Sequence, residues 1–109
     1  ALKRSERNLI MTNKQIEEEI QSKNLNAPRL TPEIIESKIK KCEFHILTEV
    51  LTVCVLTLEN GSTVTGESAC ASPKNFDKEL GEKISRMNAV GKIWQLEGYL
   101  LKQKLFEGN

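Results

Sequence analysis

The stretch Leu51 to Cys70, LTVCVLTLENGSTVTGESAC, decides how this chain is read. Residues 51–58 are apolar or β-branched at every position, and such side chains pack well on a pleated surface. Residues 62–70 alternate more regularly. Between the two runs stands Asn60-Gly61, a pair that tolerates the positive φ angles of tight hairpin turns. The stretch therefore predicts an antiparallel β-hairpin over about 51–70. Side chains alternate along a strand, so Val53, Val55 and Thr57 share one face while Cys54, Leu56 and Leu58 share the other. Both rows are apolar, as expected of a strand that is central in its sheet or covered on both sides. A hairpin alone is marginal in water. The rest of the chain, or another subunit, must cover it.

Downstream, Phe76, Leu80, Ile84, Met87, Gly91, Trp94, Gly98, Leu101 and Leu105 recur every three or four residues. That spacing predicts a long amphipathic helix over about 75–105. Gly91 and Gly98 lie on its apolar stripe and imply either close approach of another helix or a break near 91–95. Some 30 residues of helix extend roughly 45 Å. This is more than one hairpin can cover, which argues for a homo-oligomer. Upstream, Thr12 and Gln15 have capping-box spacing and open a helix over about 13–23, with Glu17, Glu18 and Glu19 on its solvated face. Residues 24–30 read as a linker, since Pro28 holds its predecessor extended. Thr31-Pro32-Glu33 then starts a second helix, ending near Lys41 among cations that suit a C-terminus. Residues 43–47 alternate too loosely to assign. The fold class is α+β: short N-terminal helices, the hairpin and the long C-terminal helix. Residues 11–109 form one domain, with Met11 as the expected start and residues 1–10 as an extension.

Sixteen Lys and Arg oppose fifteen Asp and Glu, a formal charge of +1. Nucleic-acid binders draw much of their affinity from a basic excess that this chain lacks. Nucleic acid is therefore the lesser expectation, carried only by Lys78, Lys83, Arg86, Lys92, Lys102 and Lys104 on the last helix. No run approaches the ~20 apolar residues of a spanning helix, and no signal peptide is visible. Cys42, Cys54 and Cys70 are odd in number and form no CxxC. With His45 the sole histidine, neither a disulfide framework nor a zinc site is indicated. Reduced thiols in a cytoplasm, with no metal and no cofactor, are the expectation.

The candidate chemistry is thin. Gly66-Glu67-Ser68-Ala69-Cys70 resembles a nucleophile elbow but lacks its final glycine, and His45 has no aspartate nearby to orient it. Cys70 with His45 is no better supported, and no phosphate-cradling loop occurs. No catalytic residue is assigned. A binding site is more readily placed at the junction between the hairpin and the long helix. Its candidates are Thr65, Glu67, Ser68, Asn75 and Phe76, with Arg86, Asn88 and Trp94 close by. Free N–H groups at a helix start near Asn75 would suit an anion, and Trp94 could stack on a ligand or a partner side chain.

Several strings are more specific. Thr52-Val53-Cys54, Leu56-Thr57-Leu58-Glu59-Asn60-Gly61, Val64-Thr65-Gly66-Glu67-Ser68-Ala69-Cys70-Ala71-Ser72-Pro73, Asn75-Phe76-Asp77, Gly81-Glu82-Lys83-Ile84, Asn88-Ala89 and Lys92-Ile93-Trp94-Gln95-Leu96-Glu97-Gly98-Tyr99-Leu100-Leu101 stand in that order. Together with Ala27-Pro28 and Thr31-Pro32, they resemble a family of small tailed-phage and prophage proteins. It is typified by early-region proteins of coliphage N-four and Shigella phage Sf-six. The resemblance spans roughly 11–106. One departure is Gln95, where the family pattern has proline, and this speaks against a kink there. The family carries no assigned activity. The resemblance implies a phage or prophage accessory protein acting in the cytoplasm of an infected or lysogenic bacterium. By analogy of gene class, the expectation is a non-enzymatic binder used in host takeover or counter-defence. Its target would be a host protein or a small signalling ligand.

Overall fold

The central element is β2, Leu51–Leu58. The computed structural model describes residues 13–25 and 27–108. In it β2 pairs antiparallel with β1 (Ile39–Ile46) on one side and β3 (Thr63–Ala69) on the other, giving a three-stranded sheet of order β1-β2-β3. Helix α1 spans Asn13–Ser22, α2 Pro32–Ser37 and α3 Lys78–Phe106. A single 3-10 turn, Pro73–Asn75, links β3 to α3. The expected Thr12 cap, the start at Met11 and the 1–10 extension lie outside the described residues.

Strict alternation along β2 separates two faces. Thr52, Cys54, Leu56 and Leu58 are buried, whereas Val53, Val55 and Thr57 are only half-buried. α2 and α3 pack on the first face and form a core of Ile35, Cys54, Leu56, Leu58, Val64, Ala89, Val90 and Ile93. The expected central position of this strand holds, but among the described residues only one of its faces is covered by helix.

The sheet has a strand that local pattern did not reveal. β1 carries a bulge between Ile39 and Lys41: Ile39 pairs with Leu58, Lys41 with Thr57 and Cys42 with Leu56. One extra residue in a strand shifts the side-chain alternation. Ile39 therefore shares a face with Cys42, Phe44 and Ile46 at an odd spacing, which hides the period of two. The second helix accordingly ends at Ser37 and not near Lys41; Lys40 and Lys41 belong to the strand. Pairing with β2 outweighs the helical signal of a lysine-rich segment.

The hairpin turn is wider than Asn60-Gly61 alone predicts. Residues 59–62 connect the strands, Gly61 takes φ +91°, and the Asn60 side chain accepts a 2.9 Å hydrogen bond from the Ser62 N–H. Asn60 thus acts through its side chain, as asparagine does in Asx turns.

α3 starts three residues later than the periodicity predicts. Asp77 is the N-cap, accepting from the Leu80 N–H at 3.0 Å, and Asn75 belongs to the preceding turn. The helix then runs unbroken for 29 residues through Gly91 and Gln95. No break occurs near 91–95. Among the described residues neither Gly91 nor Gly98 marks a tight approach: a Cβ at Gly91 would meet open space, and one at Gly98 would only touch Leu30 at 4.0 Å. The close approaches are elsewhere. At Gly66 a Cβ would overlap the Ser85 carbonyl oxygen and the Ala89 nitrogen, and would lie 2.9 Å from the Ala89 Cα. At Gly81 it would lie 2.8 Å from Thr52 Oγ1.

This geometry sets two opposite expectations for one substitution type. Gly66→Ala forces rigid backbone apart and should cost about 3 kcal/mol or prevent folding. Gly91→Ala meets nothing and should stabilise by about 0.5–1 kcal/mol through helix propensity. Urea unfolding of both variants checks this; a neutral Gly66→Ala would refute the packing described.

Candidate functional site

The junction between β3 and α3 brings together some of the expected residues. Ser68, Asn75 and Phe76 line a cavity of about 100 Å³ with Thr52, Cys70 and Asp77. Such a volume holds only a few waters, each occupying about 30 Å³ in the liquid. The Cys70 thiol donates to the Ser72 carbonyl at 3.3 Å, and the Asp77 carboxylate already caps the helix where an anion would otherwise bind.

The other expected residues lie elsewhere. Thr65 and Glu67 pair with Val55 and Val53, so their side chains occupy the sheet face opposite α3, the half-buried row of β2. Arg86 reaches back to α2, donating to both Glu36 carboxylate oxygens at 2.8 and 3.2 Å. Asn88 donates to the Glu67 carbonyl at 2.8 Å, satisfying a backbone acceptor on edge strand β3. Trp94 packs partly buried against the core on the side of α3 that meets α1. His45 pairs with Val53, and Ser68 pairs with Thr52, so the two candidate hydrolytic side chains stand on opposite sheet faces.

Around Trp94 the chain encloses a larger space. Residues of α1 and α3 face one another across a cleft of about 390 Å³. Met87, Gly91 and Trp94 of α3 form one side, and Ile16, Glu17, Ile20, Leu30 and Pro32 form the other. Asn24, at φ 54°, ends α1 in a left-handed turn that asparagine tolerates. Arg29 then fixes the linker. Its guanidinium donates to Glu17 Oε1 at 2.6 Å and to Oε2 at 2.7 Å, and its Nε donates to the Leu25 carbonyl at 3.2 Å. Gln21 donates to Glu17 Oε2 at 2.8 Å.

Glu17 was expected on the solvated face of the first helix, yet it is 7% exposed while Ile16 is 43% exposed. The cause is Arg29, twelve residues away in a linker, a partner that helical periodicity cannot signal. A bidentate guanidinium–carboxylate pair is among the stronger polar contacts. The hydrogen bonds from Arg29 and Gln21 hold the Glu17 carboxyl below its ordinary value of 4.5, and those from Arg86 do the same for Glu36. The Trp94 Nε1 and the Thr52 Oγ1 are buried and have no hydrogen-bond partner among the described residues.

Of the six cations expected to form a basic face, Lys83 is paired with Glu79 at 3.3 Å and Arg86 with Glu36. Among the described residues no three His, Cys, Asp or Glu side chains are placed to hold a metal ion, and no helix is long and apolar enough to cross a membrane.

Two solution properties follow. A carboxylate whose folded pKa is depressed contributes stability above its unfolded value and loses it as pH falls through the folded value. The Glu17–Arg29 tie should therefore be fully present above pH 4.5 and weaken below it. Thermal melts between about pH 3 and 7 should show Glu17→Gln with a flatter acid limb than the parent chain; identical slopes would contradict the pairing. The thiols should also differ. Cys42 is exposed, whereas burial, with Cys42 at 3.9 Å as a lesser cause, pushes the Cys54 thiol up to about 12. A thiol reagent should label Cys42 in the native protein and Cys54 only after unfolding. Equal native rates would contradict this.

Comparison with known proteins places the chain in a lineage. The model of the Phage protein (N4 Gp49/phage Sf6 gene 66) family matches residues 11–105. No curated protein and no solved structure matches the chain. The matched span includes the hairpin strings, the junction and nearly all of α3, so this chain belongs to the N4 Gp49/phage Sf6 gene 66 family of phage proteins.

Proposed function

We propose that this phage protein is a non-enzymatic binder that works as a homo-oligomer in the bacterial cytoplasm. It takes a small organic ligand, or one inserted side chain of a host protein, into the cleft between α1 and α3. The observation that carries this reading is the cleft itself. Its 390 Å³ falls within the usual range of ligand pockets. Its walls are largely apolar, with an indole at Trp94 and a carboxylate already neutralised at Glu17. Such a lining favours a flat, apolar or aromatic group and offers no general base. The separation of Ser68 from His45, on opposite faces of the sheet, supports a binding role over a hydrolytic one.

Gly91 supplies the means to test it, because a side chain there meets open space and points at the cleft. Native mass spectrometry should compare the parent chain with Gly91→Trp, both recovered from phage-infected host cells. The parent should carry a bound ligand or host subunit that folded Gly91→Trp lacks. An empty parent would overturn the binding role, and equal loading of both would overturn the cleft as its site.

A further inference from the structure

α3 outruns the sheet on which it packs. A helix of 29 residues spans about 43 Å, whereas strands of seven or eight residues span about 26 Å. Along its first half, Ser85, Ala89 and Ile93 meet the sheet and are buried. The same side of the helix continues past the hairpin tip, where among the described residues no strand covers it. There Leu96 is 49% exposed, Leu100 51% and Tyr99 72%. These three side chains and the tip at Asn60 and Ser62 border a groove of about 330 Å³. An apolar stripe of this exposure on a helix marks an association surface.

We propose that a second copy of this chain fills the groove, with its own α3 lying antiparallel to the first. The inference rests on the self-association stated above and names its surface. The charge pattern of the helix is self-complementary. Lys92, Leu96, Tyr99, Leu100, Gln103 and Glu107 follow one another at helical spacing along a single stripe, with Glu107 capping the end. About a two-fold axis between Tyr99 and Leu100, Leu96 of one copy meets Gln103 of the other, and Lys92 meets Glu107 at both ends. Lys92 is exposed and makes no ion pair among the described residues. Parallel pairing would instead set lysine against lysine and glutamate against glutamate. The stripe is therefore self-complementary in one direction only, as a two-fold interface requires. Lys92 to Glu107 covers about 24 Å of helix, more than four turns.

Sedimentation velocity of the full chain over a concentration series tests this. The parent chain should associate. Tyr99→Lys should weaken association at least tenfold without unfolding the protein, since Tyr99 lies outside the core. Lys92→Glu and Glu107→Lys should each weaken it several-fold, and the double variant Lys92→Glu/Glu107→Lys should restore it. A parent chain that stays monomeric overturns both this interface and the self-association it rests on. A parent that associates as strongly as Tyr99→Lys overturns the surface alone. Single charge reversals without rescue in the double variant overturn the antiparallel register.

Discussion

Everything in this fold depends on how closely the backbone of α3 can approach the backbone of β3. At Gly66 the missing side chain leaves room for the Ser85 carbonyl and the Ala89 amide, where any Cβ would overlap both. Ser85 and Ala89 are themselves small and completely buried. About one turn before Ser85, Gly81 lies against the Thr52 side chain, where a Cβ would come within 2.8 Å of Oγ1. These contacts bring the helix onto the strands and let Cys54, Leu56, Val64 and Ile93 close a core from very few large side chains. They also decide which face of the sheet is covered. With a single long helix on one side, the row of Val53, Val55 and Thr57 on the other remains half-exposed.

The polar contacts do a different job. Arg29–Glu17 and Arg86–Glu36 each connect segments that would otherwise share little packing: the linker to α1, and α2 to α3. Asn88 holds the outer backbone of β3. Three side chains that look from their chemistry like binding groups are thus occupied with structure, because an exposed edge carbonyl or a short helix needs a tie more than it needs a free cation. What they leave is a cleft whose walls are largely apolar and whose charge is cancelled.

Much of the architecture was legible. The hairpin could be read from Leu51–Leu58 and the glycine that follows, the long helix from a stripe of apolar residues over many turns, and α2 from Thr31-Pro32. These signals are local and repeat often enough to survive noise. The β1 strand was not legible, since its bulge at Lys40 breaks the alternation by which strands are recognised. The candidate site was legible only in part. Trp94 was singled out, but it lines a cleft with Ile16, Glu17 and Leu30, not the junction around Asn75. No spacing rule joins Glu17 to Arg29, because their meeting depends on the path of a linker.

The sequence by itself therefore determined the α+β class, the order of its main elements, the excess length of the last helix and the phage family to which the chain belongs. Each of these is written in short-range periodicity, in turn chemistry or in strings specific enough to be matched. Only the tertiary structure decided that β2 has a partner on each side but, among the described residues, a helix on one face alone, that Glu17 is covered while Ile16 is exposed, and that Arg86, Asn88 and Trp94 point to three separate places. Those outcomes turn on contacts between residues far apart in the chain, where burial and close backbone approach override what each segment would prefer alone.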